Sequence, residues 1–313
     1  MLLFLVRRIL ATIPVLVIVA LIVFLMLRLA PGDPAAVIVG NNGTAEDMLR
    51  VRNALGLDSS LPVQFVRWGE QLLRGNLGES FFVKEKVTVL IAQRLEPTVS
   101  LALITLLFTI LIAVPLGVIA ASRRNGWLDK TLMNLSVLGF SIPSFIIGYV
   151  LINFFALKFQ WFPAQGYSRL ADGAWPWFKG LILPSLTLST VYISLIARVT
   201  RAAVVETLAE DYIRTARAKG ISARRVLIKH ALSNAAVPIV TVIGIGIALL
   251  IGGVVVTENV FALPGLGQLT IDAVMSRDFP LIQGITLFFS VIYVLINLLI
   301  DLSYLLFDPR IRY

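Results

Sequence analysis

Six long apolar runs constrain the fold more than anything else in this sequence. They cover residues 9–30, 99–121, 132–157, 181–197, 237–257 and 281–302. A helix rises about 1.5 Å per residue, so roughly 20 apolar residues cross the ~30 Å hydrocarbon layer of a bilayer. Charged residues make up 14% of the chain and mean hydropathy is +0.89, whereas a soluble domain carries about 25% charged residues. The sequence therefore predicts an all-α membrane protein with six transmembrane helices. A cleaved leader is the competing reading of the first run. Its apolar core would span only about 7–15 residues and end at a small-residue cleavage site. Run 9–30 is longer and ends in Arg28-Leu29-Ala30-Pro31-Gly32-Asp33-Pro34, so it is read as an uncleaved span.

The connections carry the orientation. Six spans place both termini on one side, together with loops 122–130 and 198–230. These four regions hold 15 Lys and Arg residues, against four in the short opposite loops 158–180 and 258–280. Short basic loops stay on the cytoplasmic side, so both termini are expected there. The formal charge of +9 does not indicate nucleic acid, because the basic residues form no stripe interleaved with aromatics.

Four segments are expected: a cytoplasmic start with the first span (1–30), an external helical segment (31–97), the remaining membrane domain (98–303) and a cytoplasmic tail (304–313). Within 31–97, Thr44 and Asp47 fit a capped helix start and Gly56 a stop. Pro62 can open a second helix reaching Gly75, and a third can cover 87–95. The segment is too poor in apolar residues for a large core, so a small helical cap is expected.

The loop 198–236 has a pattern of its own. Leu208, Ala209, Tyr212, Ile213 and Ala216 recur at helical spacing. Asp211 lies at the start of that helix and Arg217 and Lys219 at its end, which suits the helix dipole. Gly220 fits a left-handed stop, and Ser222 can cap a second amphipathic helix. Bulky Tyr212 and Ile213 on a loop call for a partner surface; a solvated basic loop kept only for topology is the plainer reading.

The run Tyr-Ile-Arg-Thr-Ala-Arg-Ala-Lys-Gly from Tyr212 to Gly220 resembles the loop by which ABC-importer permeases of the oligopeptide/dipeptide branch dock on their ATPase subunits. In the general loop pattern, Arg214, Thr215 and Ala216 stand for Glu-Ala-Ala, and His230, Leu232 and Ser233 for Ile, Leu and Pro; only Ala216, Gly220 and Leu232 agree. Two further stretches resemble the same branch: Pro31-Gly32-Asp33-Pro34, and Glu258-Asn259-Val260-Phe261-Ala262-Leu263-Pro264-Gly265-Leu266-Gly267. Residues 75–80 match more weakly.

The resemblance implies a type I ABC importer transmembrane fold and a bacterial inner-membrane permease subunit. It implies a second homologous permease subunit, two cytoplasmic ATPase subunits that bind the ATP and Mg, and a periplasmic solute-binding protein. It further implies short peptides as cargo, with glutathione, nickel chelates, opines or oligosaccharides as alternatives. Asp211, Tyr212, Ile213, Arg214, Thr215, Ala216, Arg217, Ala218, Lys219 and Gly220 would form the ATPase-coupling helix.

Chemistry of its own is hard to find in the chain. There is no phosphate-cradling Gly-rich motif with its Lys, no metal-ligand spacing around the single His230, and no cofactor motif. A non-catalytic subunit is expected. A stand-alone secondary transporter, the alternative from another class, usually carries carboxylates or broken helices at mid-membrane; here Arg28 and Asp301 lie near run ends. A membrane scaffold without flux would leave the amphipathic loop unexplained. Candidates for the pathway or its gate are Ser141, Pro143 and Ser144, which interrupt the third run, and Glu258, Asn259, Phe261, Pro264, Gly265 and Gly267 after the fifth. Close helix packing through small residues is the competing explanation for such positions.

Overall fold

The computed structural model describes residues 2–29, 35, 39 and 44–307, without the side chains of 2–9, 27, 51, 54, 55 and 303–307. The motif 31–34 and the tail 308–313 lie outside the described residues. Among those described, the chain is helical: α1 (Leu2–Arg28), α2 (Ala45–Leu55), α3 (Leu61–Leu73), α4 (Val87–Ser122), α5 (Trp127–Ser141), α6 (Ser144–Leu151), α7 (Ala174–Leu208), α8 (Asp211–Ala218), α9 (Ala236–Val260), α10 (Leu266–Ser276) and α11 (Phe279–Phe307). Among the described residues, four helices are long and apolar enough to cross a membrane, or five if the bent pair α5–α6 is one span. Leu10–Met26 is a shorter apolar stretch.

The chain forms two compact units. One comprises Met1–Glu96 with Gly265–Leu295, the other Pro97–Pro264 with Ile296–Tyr313. In the first, Val87, Leu90 and Ile91 of α4 pack with Leu266, Leu269 and Ala273 of α10 and with Leu281 and Ile285 of α11. Phe24 of α1 meets Phe65 and Trp68 of α3 at ring distances of 5.2 and 5.5 Å. The Gln283 side chain donates to the Val23 carbonyl at 2.9 Å. Local chemistry sets the helix ends: Thr44 and Asp47 form a capping box, and Gly56 stops α2 at φ 62°.

In the second unit, Leu101 of α4, Leu181, Leu188 and Ile196 of α7, and Leu250 and Val254 of α9 form the main core. Gly117 of α4 lies so close to α7 that a Cβ there would stand 2.6 Å from Thr200 Cβ and 2.7 Å from the Ala197 carbonyl. Close approach through small residues is how membrane helices gain packing without a hydrophobic driving force.

Several boundaries differ from the sequence expectations. Stretch 87–95, expected as a separate helix, is the first part of α4. That helix passes through Pro97 without stopping, and burial of Val87, Leu90 and Ile91 offsets the hydrogen bond a proline removes. The fourth run is only the centre of α7, a helix of 35 residues that carries part of the basic loop. Thr200, Ala203 and Val204 are buried there, so packing extends the helix beyond the apolar run. No second amphipathic α-helix follows Gly220. A single turn, Ala223–Arg225, runs into a π-helical segment, Val226–Leu232, and Ser222 makes no side-chain cap. Glu258 and Asn259, expected in a loop, lie in the last turn of α9.

Candidate functional site: the α8 loop and the helix ends behind it

α8 follows α7 after a two-residue break. Ile213 is fully buried and Ala216 nearly so. Both pack on Val226, with Leu208 and Ile221 partly buried alongside. Asp211, Tyr212, Arg214, Thr215, Arg217, Ala218, Lys219 and Gly220 are exposed. The helix therefore has one inward stripe and one outward face, with Ile213 (0% exposed) on the first and Tyr212 (42%) on the second. The sequence reading put these two side chains on one face; Ile213 instead seats the helix on the loop. Partial burial, with the Glu210 carboxylate adding to it, pushes the Tyr212 hydroxyl up from its usual value.

The stop of α8 follows from its sequence. Gly220 has φ 78°, the left-handed conformation that costs a residue with a Cβ roughly 1–2 kcal/mol. The Gly220 amide donates to the Arg217 carbonyl at 2.9 Å and the Ile221 amide to the Ala216 carbonyl at 3.2 Å. This pairing satisfies the last carbonyls and folds Ile221 back against Ala216. The Asp211–Arg214 pair at 3.2 Å is exposed and adds little stability.

Behind the loop, Arg201 grips Asp129 in a two-point contact, Nε to Oδ1 at 2.5 Å and Nη2 to Oδ2 at 2.6 Å. The Asp129 side chain is 2% exposed and also accepts from the Asn125 amide at 2.9 Å. The contact ties the start of α5 to α7 two turns before α7 ends. Bidentate guanidinium–carboxylate pairs are strong and directional. Sequence reasoning did not find this pair; an acidic residue inside the otherwise basic loop 122–130 was the available signal.

The other candidates divide. α5 and α6 meet at a 100° bend. Pro143 caps α6 and Ile142 before it is extended (φ −88°, ψ 125°), as a residue preceding proline prefers. Ser141 and Pro143 are exposed and Ser144 half-buried; the Ser141 hydroxyl donates to the Val137 carbonyl at 2.8 Å. One turn beyond Ser144, Gly148 packs against Val260 and Phe261, so α6 joins the bend to the end of α9. There Glu258 is fully buried and accepts a hydrogen bond from Thr98 at 2.6 Å. Asn259 is exposed, Phe261 buried and Pro264 half-buried. Gly265 and Gly267 belong to the other unit, where both are buried at the start of α10. Among the described residues, no group of His and acidic side chains could hold a metal ion.

Comparison with known proteins places this geometry in a family. Residues 113–313 match the model described as "Binding-protein-dependent transport system inner membrane component". Residues 1–102 match its N-terminal companion. A Sinorhizobium fredii protein named "Probable peptide ABC transporter permease protein" is 52% identical, covering 99% of both chains. A Salmonella paratyphi A protein named "Glutathione transport system permease protein" is 43% identical over the full length of both. Among solved structures, the MetNI methionine ABC transporter in an inward-facing conformation aligns with a TM-score of 0.59 at 19% identity, covering 70% of this chain and 96% of that one. At that identity the likeness is one of fold, a type I importer permease. The chain is a multi-pass inner-membrane protein and belongs to the binding-protein-dependent transport system inner membrane components, the permease subunits of ABC importers of the peptide family.

Proposed function

We propose that this chain forms half of a translocation path for short peptides and takes its driving force from ATPase subunits docked on α8. The observation that carries the reading is the division of α8: Ile213 locks the helix to its own loop while Tyr212 and its exposed neighbours are left for a partner. A helix held from beneath moves with what it is attached to. Closure of an ATPase pair would push α8 and, through α7 and the Asp129–Arg201 contact, the start of α5. The chain would bind no nucleotide and catalyse nothing itself. A second, similar permease would complete the path, and a periplasmic binding protein would deliver the solute.

Peptide cargo is supported by the relatives named for peptide transport and by the one named for glutathione. Glutathione is itself a tripeptide, so the alternative differs in cargo and not in mechanism; the binding protein's pocket decides between them. The basic loops support six spans with cytoplasmic termini. A reporter fused at residue 60 then reads as periplasmic; a cytoplasmic reading would reverse the orientation and remove α8 from the ATPases. The functional test is Tyr212→Asp in the assembled transporter. Folded protein and ATP hydrolysis are expected to persist while uptake falls at least about tenfold, the effect of losing ~1.4 kcal/mol of coupling. Unchanged uptake per ATP would sink the assigned role.

A further inference from the structure

The unit formed by Met1–Glu96 and Gly265–Leu295 holds a cavity of about 460 Å³, within the range of small-molecule sites. The transport reading makes no use of it. Arg28, Arg67 and Lys84 line it, and Glu79 is the only acid in its lining among the described residues. Trp68 forms part of the wall, with the carboxamides of Gln71 and Asn76 close by.

The cationic side is built. The Arg28 guanidinium lies 3.7 Å over the Phe24 ring. Its Nε donates to Gln64 Oε1 at 2.8 Å and its Nη1 to the Phe24 carbonyl at 3.2 Å. Gln64 is buried, and its own amide is held by the carbonyls of Leu57 and Ser59. Lys84 sits at φ 59°, an uncommon conformation for a residue with a side chain. It closes a turn whose Ser80 hydroxyl donates to the buried Asp278. Among the described residues none of the three cations forms a salt bridge, though the Lys84 charge also acts on the exposed Asp47 carboxylate.

Depth selects the ligand. Arg28 is the last residue of α1, two residues beyond the apolar stretch Leu10–Met26; on the six-span reading its guanidinium would fall where hydrocarbon gives way to phosphate. Trp68 has the amphipathic ring favoured at that boundary. Leu29, Val66 and Leu73 of the same unit expose apolar side chains that acyl chains would cover. We propose that this cavity binds the headgroup of an anionic phospholipid, its phosphate against Arg28, Arg67 and Lys84 and its hydroxyls on Gln71 and Asn76. The same oxyanion chemistry would accept free phosphate, and the experiment separates the two sources.

The full chain is reconstituted in phosphatidylcholine nanodiscs containing phosphatidylglycerol, and the lipids it retains are read by native mass spectrometry. Retention of one phosphatidylglycerol at about tenfold preference over phosphatidylcholine is expected. The double variant Arg67→Gln with Lys84→Gln changes two exposed side chains, so it is expected to fold, checked by its melting temperature, and to lose the preference. Equal retention of both lipids, or a preference unchanged in the double variant, overturns the assignment. Trp68 fluorescence, with Trp68→Phe as the blank, should respond to phosphatidylglycerol. A response to inorganic phosphate alone overturns the lipid source.

Discussion

α8 and the turn after α9 are both short breaks between apolar helices, and both carry the residues by which the chain resembles its family. Their burial is opposite. In α8 only Ile213 and Ala216 are buried. Across the end of α9 and the turn that follows it, Glu258, Val260, Phe261 and Leu263 are all buried, with Ala262 bent into a left-handed turn at φ 49°. The first break is an outward surface on a small seat; the second is an internal joint. Motif density in a sequence therefore does not reveal whether a motif meets a partner or its own fold. The ranking of substitutions should.

The largest effect is expected at the joint. Phe261→Ala opens a cavity in the main core and should cost about 3–5 kcal/mol, read as a lower melting temperature and reduced folded yield in detergent. Ile213→Ala removes the seat of α8 and should cost about 2–4 kcal/mol locally. Because the neighbouring cluster is small, the loss should appear as faster amide exchange in 208–226 with little change in global melting. Gly220→Ala places a Cβ at φ 78° and should cost roughly 1–2 kcal/mol; no neighbour lies within 4 Å, so strain and not collision sets the figure. Arg214→Ala should stay within about 0.5 kcal/mol, since it breaks only an exposed pair. If Arg214→Ala destabilised the isolated chain as much as Ile213→Ala, the division of α8 into seat and surface would be wrong.

The sequence made some of this readable and hid the rest. The stop of α8 was legible, because a glycine after an amphipathic turn has a local cause. So were the cap at Thr44, the stop at Gly56 and the break at Pro143. The reach of α4 and α7 was not: hydropathy marks the hydrocarbon layer, and both helices run past it on packing and polar contacts. The different burial of Tyr212 and Ile213 was hidden because helix periodicity groups apolar side chains without saying which face the rest of the loop will cover. Long-range polar pairs left no local pattern either. Arg201 lies 72 residues from Asp129, Glu258 lies 160 from Thr98, and Asp278 lies 198 from Ser80. Each joins residues that look unremarkable alone.

The central claim is that the exposed face of α8 meets an ATP-hydrolysing partner while its inner face does not. A photo-crosslinking amino acid at position 212 or 213, in the complete transporter, tests this directly. Position 212 should link to an ATPase subunit, and position 213 only within the chain, to the Val226 segment. A transporter that hydrolyses ATP and imports solute yet gives no intersubunit product from position 212 would contradict the account.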